Sequence, residues 1–256
     1  MLKRHLTIIL VVALAAVALA GCAQQPAPTP DPGPTEVTVY QGLGKDIIFR
    51  VGPGSDSEGV QVYSLNYAYA DATFDAEGRI LNVFVDILEV ATTNYDGDGM
   101  PHFPGWPGTE GYNNFDHATG TISGKSDTTP EVVAAEINGW MTKRDRGLDY
   151  HMNPNNEWFE QMDYFQELFK GMKVPELEAW VAKFTSDRNG RPLAANSSNE
   201  LDAAKFGKLT AEEQAYIVDV RTGATMSVND AHGNIVAAIK DAFENRVEVV
   251  IPIPSN

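Results

Sequence analysis

Hydrophobic and polar positions alternate most clearly over Val60–Phe74 and again over Ile80–Ala91, with Asp75-Ala76-Glu77-Gly78 between them. Period two sends successive side chains to opposite faces, and the β-branched and aromatic residues suit a pleated surface. The pattern predicts an antiparallel hairpin whose turn is bounded by Asp75 and Gly78. Shorter strand candidates lie at Val37–Tyr40, Asp46–Val51, Tyr216–Val220 and Val247–Ile253. After Thr129 the period changes to that of a helix. Thr129-Pro130-Glu131 has a cap and a first-turn proline and opens a helix running to about Thr142. Asn155–Lys170 carries Trp158, Phe159, Met162, Phe165 and Phe169 at helical spacing, and Val174-Pro175-Glu176 opens a third helix. Thr210 and Glu213 form a capping-box pair. Ser227 is placed to cap a last helix with Val228, Ile235, Ile239, Ala242 and Phe243 on one face, its middle weakened by Gly233. Thr92–Thr129 keeps neither period, and an irregular stretch of that length inside a domain is usually functional. The expected fold class is α+β, a mainly antiparallel sheet with helices packed on it.

The N-terminal pattern is different in kind. Lys3 and Arg4 precede an apolar run from Leu6 to Ala20, too short for a membrane span but suited to a secretory leader. It ends in Leu19-Ala20-Gly21-Cys22, which resembles a bacterial lipobox. The expected organisation is a leader over 1–21, a lipid-anchor Cys22 with a Pro-rich tether over 22–36, and a single α+β domain over 37–256. Acylation of Cys22 by palmitate-type chains would hold the protein on the extracytoplasmic face of a bacterial cell membrane.

Cys22 is the one cysteine of the chain, so there is no disulfide frame, no cysteine-ligated cluster and no c-type haem attachment. Redox chemistry would need an organic cofactor or a metal. The net charge of −16 becomes −18 once Lys3 and Arg4 leave with the leader. Such a surface excludes nucleic acid as a partner.

Asp219-Val-Arg-Thr-Gly-Ala-Thr225, followed by Met226-Ser227, is the segment with chemical character. Gly223 and Ala224 remove bulk just before Thr225, and Gly223 allows a turn with positive φ. A hydroxyl so exposed can enter another enzyme's cleft. A helix beginning near Ser227 would offer free N–H groups to a phosphate. Asp219 would cap the turn or be read by a partner. The spacing Asp219-x-x-Thr222-Gly223-Ala224-Thr225 resembles the FMN-binding domain family, with Ser227 at a commonly hydroxylated position. Trp140–Arg144 and Glu157–Gln161 are similar to segments of some secreted members. The resemblance implies that an FAD-dependent flavin transferase moves FMN onto Thr225 as a phosphoester. The cofactor-binding residues would then be Asp219, Thr222, Gly223, Ala224, Thr225 and Ser227. The protein would pass electrons from a membrane donor to an extracellular or periplasmic acceptor. A non-flavinylated ligand-binding or surface-interaction lipoprotein is the alternative, and a flavin-dependent reductase a third reading.

Other features carry less. Asn94–Gly99 begins like a calcium loop, but Gly105 stands where the bidentate carboxylate is needed. His102, His117, His151 and His232 lack the i, i+4 spacing of a helical zinc site. His102-Phe103-Pro104-Gly105 keeps only part of the family's His-x-Glu-Thr-Pro-Gly element, so no role is carried over to His102. Trp106, Tyr112 and Phe115 would either stack on a flavin ring or pack their loop onto the sheet. There is no Gly-x-Ser-x-Gly elbow and no phosphate-binding P-loop.

Overall fold

The alternating segments do close into a hairpin. The computed structural model describes residues 36–95, 100–106, 110–116, 121–125, 129–153 and 155–253. Residues 1–35, with the expected leader, Cys22 anchor and nearly all of the expected tether, lie outside the described residues, as do residues 96–99. One compact unit spans 38–251; the other, 1–37 and 252–256, falls almost wholly among residues not described.

Strands β1 (Glu36–Ser55), β2 (Gln61–Phe74), β3 (Ile80–Ala91) and β8 (Val247–Pro252) form a sheet of order β3-β2-β1-β8. β1 pairs antiparallel with β2, and β2 with β3 in the register Tyr67↔Leu88 and Ala70↔Val85. Asp75 and Gly78 end the turn as expected: Gly78 sits at φ 80°, and Asp75 N–H donates to the Arg79 carbonyl at 3.0 Å. The two short strand candidates of the N-terminal part are one strand, because Gly42 and Gly44 do not interrupt it.

Those glycines have a packing reason. Helix α7 (Ile235–Glu244) crosses so close that a Cβ on Gly42 would lie 1.9 Å from the Ala242 carbonyl oxygen. A Cβ on Gly44 would lie 2.1 Å from that of Ala238. Ala68, Ala70 and Ala72 of β2 are fully buried on the same face. Two further helices complete the inner layer: α3 (Trp158–Phe169) and α4 (Val174–Phe184). Trp158, Met162, Phe165 and Phe169 of α3 are buried against Val83, Val85 and Ile87, as their spacing predicted. Each such side chain contributes about 1.5–3 kcal/mol through burial.

From Thr92 to Gly223 the structure departs from the sequence expectations in four places. The helix from Pro130 stops at Asn138 (α1), and Thr142 caps a separate short helix, α2 (Lys143–Arg146). Glu110–Asp116 (β4) and Thr121–Lys125 (β5) pair antiparallel inside the segment expected to be irregular. Helix α5 (Glu200–Gly207), capped by Asn199, had no predicted counterpart.

The fourth difference bears on the site. Tyr216–Val220 is not a strand but lies within α6 (Ala211–Gly223). A five-residue alternation cannot distinguish the two periods. Thr210 and Glu213 start the helix: the Thr210 hydroxyl accepts the Glu213 N–H, and the Glu213 carboxylate accepts the Thr210 N–H. Ile217, Val220 and Ala224 then fall on one buried face.

Candidate functional site

The Asp219–Ser227 segment is the end of α6 and the chain leaving it. Asp219 is exposed on the helix, and its carbonyl accepts the Thr222 hydroxyl at 2.7 Å. Its carboxylate is among the groups that raise the Tyr164 phenol pKa, after burial. No backbone N–H among the described residues caps onto that carboxylate, so the capping role expected for Asp219 is not found.

Gly223 is the last helical residue and is absent from the positive-φ positions, so the turn argument for it fails. It is small for another reason. A Cβ there would lie 2.2 Å from the ring of Tyr164. Ala224 is fully buried, and its N–H returns to the Val220 carbonyl at 3.0 Å.

Ser227 does not cap a helix. It is buried, and its hydroxyl donates to the Asn189 carbonyl. A small hairpin of β6 (Asn229–Asp230) and β7 (Gly233–Asn234) intervenes, and α7 begins only at Ile235. Asp230 accepts the His232 N–H at 2.9 Å, which uses these residues as a turn. Asn234 caps the helix by accepting the Ala237 N–H at 2.9 Å. Gly233, at φ 134°, therefore precedes the helix rather than weakening its middle. The helix-terminus cradle expected for a phosphate beside Ser227 is absent.

Two side chains staple the segment to α3. Gln161 Oε1 accepts the backbone N–H of Thr225 at 2.8 Å and that of Met226 at 3.1 Å. Gln161 Nε2 donates to the Asn156 carbonyl at 2.9 Å, and Asn156 Nδ2 donates to the Gly223 carbonyl at 2.8 Å. In the sequence Gln161 carries only the family likeness, and nothing local marks Asn156 or Tyr164.

The three hydroxyls of the motif are thus unequally committed. Thr222 and Ser227 each donate to a backbone carbonyl. Thr225 Oγ1 has only a 3.4 Å contact to Gln161 Oε1, which already accepts two better-placed N–H groups.

Met226 and Ser227 line a narrow cleft of about 60 Å³ together with Trp158, Lys143, Arg191 and His232. Lys143 is buried, and its ammonium donates to the His232 carbonyl at 3.0 Å and pairs with Glu89 at 3.2 Å. Glu89 also binds Arg50 at 2.8 Å and accepts the Ser64 hydroxyl at 3.2 Å. Burial pushes the Glu89 carboxyl up, but Lys143 and Arg50 together hold it below the usual range.

A second and larger cavity, of about 540 Å³, opens on the outer face of the sheet. Phe49, Tyr63, Leu65, Phe103, Trp106 and Trp140 line it. Trp106 is therefore associated with this cavity, which shares no lining residue with the cleft next to Thr225. Side chains of Tyr112 and Phe115 lie outside the described residues. His102 lines neither cavity; its carbonyl accepts the Trp140 indole N–H at 3.1 Å, and burial lowers its pKa. Among the described residues there is no group of three or more His, Cys, Asp or Glu able to hold a metal. No helix there is long and apolar enough to cross a membrane.

No protein-family model matches the chain, and no solved structure matches it. It is similar to a protein of Desulfitobacterium hafniense named chlorophenol reductase, with 31% identity over 224 residues. The alignment takes in 84% of this chain and 61% of that protein, so the chain spans about three fifths of the relative's length. The likeness is thus to a protein named as a reductase.

Proposed function

We propose that this chain is an extracytoplasmic electron carrier that bears FMN in phosphoester linkage on Thr225. The observation that carries the reading is the unequal commitment of the three motif hydroxyls: Thr225 Oγ1 alone lacks a strong hydrogen bond, while its backbone is pinned by Gln161. A hydroxyl whose proton is not committed within its own chain can give it to a general base of the transferase, which activates the oxygen, and a fixed backbone presents it in one place. In the transfer, Thr225 Oγ1 bonds to the phosphorus on the flavin side of FAD. The pyrophosphate P–O bond breaks, AMP leaves, and the hydroxyl proton passes to the transferase or solvent.

FMN, once bound, supplies reversible one- and two-electron chemistry. The residues that would hold it are those that fix its attachment point: Gln161 and Asn156 pin the loop, Gly223 lets the loop pack on Tyr164, and Trp158 and Met226 border the cleft that follows it. Asp219 and Thr222, exposed on the last turn of α6, are available to the transferase. The name of the relative supports a redox role. The leader, the Cys22 anchor and the tether complete the reading, in which a lipid-held protein passes electrons between a membrane donor and an outside acceptor.

The test is co-expression with an FAD-dependent flavin transferase, followed by in-gel fluorescence and intact mass. An FMN-sized increment that disappears in Thr225→Ala is expected. Labelling that persists in Thr225→Ala sinks the site, and an unlabelled wild-type chain beside a labelled known target favours a binding lipoprotein without flavin.

The aromatic cavity on the outer sheet face and the relative's name favour a second reading, a reductase of a small aromatic molecule. Turnover of a chlorophenol by the flavinylated protein faster than by free FMN would support it.

A further inference from the structure

The cleft lined by Met226 and Ser227, the two residues that follow Thr225, has a charge opposite to that of the molecule around it. The chain carries 35 acidic and 19 basic residues, yet Lys143, Arg191 and His232 line this cleft and, among the described residues, no carboxylate does. Each of the three has capacity left. The Lys143 ammonium has three protons, and Glu89 and the His232 carbonyl take two of them. His232 Nδ1 is held by the Asp230 carboxylate at 2.7 Å, so Nε2 donates to an anion when the ring is an imidazolium paired with Asp230. Arg191 is exposed and has no ion pair among the described residues; the charge that registers beside it is that of Arg221, a like charge. Arg50, Glu89 and Lys143 sum to one positive charge and Arg191 adds a second, so the sign stays positive after Glu89 and the Asp230 carboxylate beside His232 are counted. Its volume of about 60 Å³ suits a tetrahedral oxyanion and is far too small for a three-ring system.

We infer that this cleft is a preformed phosphate subsite, in which Lys143 and Arg191, joined by His232 as an imidazolium, receive the phosphate of FMN before any covalent bond to Thr225 exists. The inference rests on Thr225 being the attachment residue. It also replaces the helix terminus as the source of positive charge: three side chains from α2, the segment after α4 and the β6–β7 hairpin do that work. Charge-assisted hydrogen bonds to phosphate are the strong class, and a guanidinium matches phosphate geometry with two donors.

The experiment uses the full mature chain, not flavinylated, titrated calorimetrically with FMN, riboflavin and inorganic phosphate. FMN is expected to bind at least tenfold more tightly than riboflavin, and inorganic phosphate to compete with it. Arg191→Met is expected to weaken FMN about tenfold and leave riboflavin unchanged. Because Arg191 is exposed, this variant folds regardless of the role assigned to it; Lys143→Met is a second variant, interpreted only if its circular dichroism is that of wild type. Equal affinity for FMN and riboflavin, no binding of either, or unchanged FMN affinity in Arg191→Met overturns the subsite. Transferase labelling is followed in parallel. Wild-type chain that binds FMN but is never labelled at Thr225 overturns the attachment reading and leaves the subsite standing. Labelling of Thr225 without any phosphate-dependent affinity does the reverse.

Discussion

The aromatic cavity and the basic cleft differ in almost every respect that matters to a ligand. The one on the outer sheet face is about 540 Å³, aromatic and open; the one beside Thr225 is about 60 Å³, basic and bounded by a buried ion network. Size and apolarity mark the first. The second is marked by polar atoms with unspent hydrogen-bonding capacity in an otherwise acidic protein. For the chemistry of a phosphoester the second kind of mark is the informative one, because water already satisfies an exposed aromatic surface only poorly but any anion requires counter-charges.

The largest contrast between the two should appear in labelling. Thr225→Ala is expected to lose the FMN mass increment completely, whereas Trp106→Ala, in the outer cavity, keeps it at the wild-type level by intact mass spectrometry. Loss of labelling in Trp106→Ala would join the two regions into one site.

Stability should separate them next. Glu89→Ala leaves the buried Lys143 and the half-buried Arg50 without their shared carboxylate and is expected to cost about 3–5 kcal/mol in urea unfolding. Phe49→Ala, at a side chain 67% exposed, is expected to cost about 1 kcal/mol or less, the worth of its stacking on Tyr63.

Gly223→Ala pushes a Cβ against Tyr164 and is expected to cost about 1–3 kcal/mol, less when Tyr164 is also cut to Ala. Additive effects in that double variant would mean the two do not touch.

The smallest difference is one of pH. The Glu89 carboxyl is held below its ordinary value, so its contribution to stability is fully present above about pH 4.3, the unfolded value, and is lost as pH falls through the lower folded value. Glu89→Gln should flatten the acid limb of the stability curve, while Trp106→Ala leaves it unchanged.

How far each region was legible in the sequence follows from the range of its contacts. β3 was bounded correctly at Ile80–Ala91 because period two and the Asp75–Gly78 turn are local signals. α3 was legible from its aromatic spacing. α6 was partly misread because Tyr216–Val220 is too short for its alternation to outweigh the capping box that precedes it. At the site, Thr225 stood out through its motif, but what holds it did not. Gln161 lies 64 positions away and Asn156 is 67 from Gly223, and neither residue type announces such a bond. The basic cleft was equally silent, since Lys143, Arg191 and His232 are isolated in sequence and meet only through α2, the loop after α4 and the β6–β7 hairpin. Ser227 was misassigned because a serine between a helix and an apolar run reads as a cap, and only the fold reveals the intervening hairpin.

Trp158, a wall of the cleft, and Gln161, the staple of Thr225, sit three residues apart on the same helix. One inserted residue between them would rotate one against the other by about 100°. The attachment loop and the cleft are therefore keyed to a single helical phase. A residue added in the Asp75–Gly78 turn would leave that phase intact, but an insertion between Trp158 and Gln161 would separate the staple from the wall.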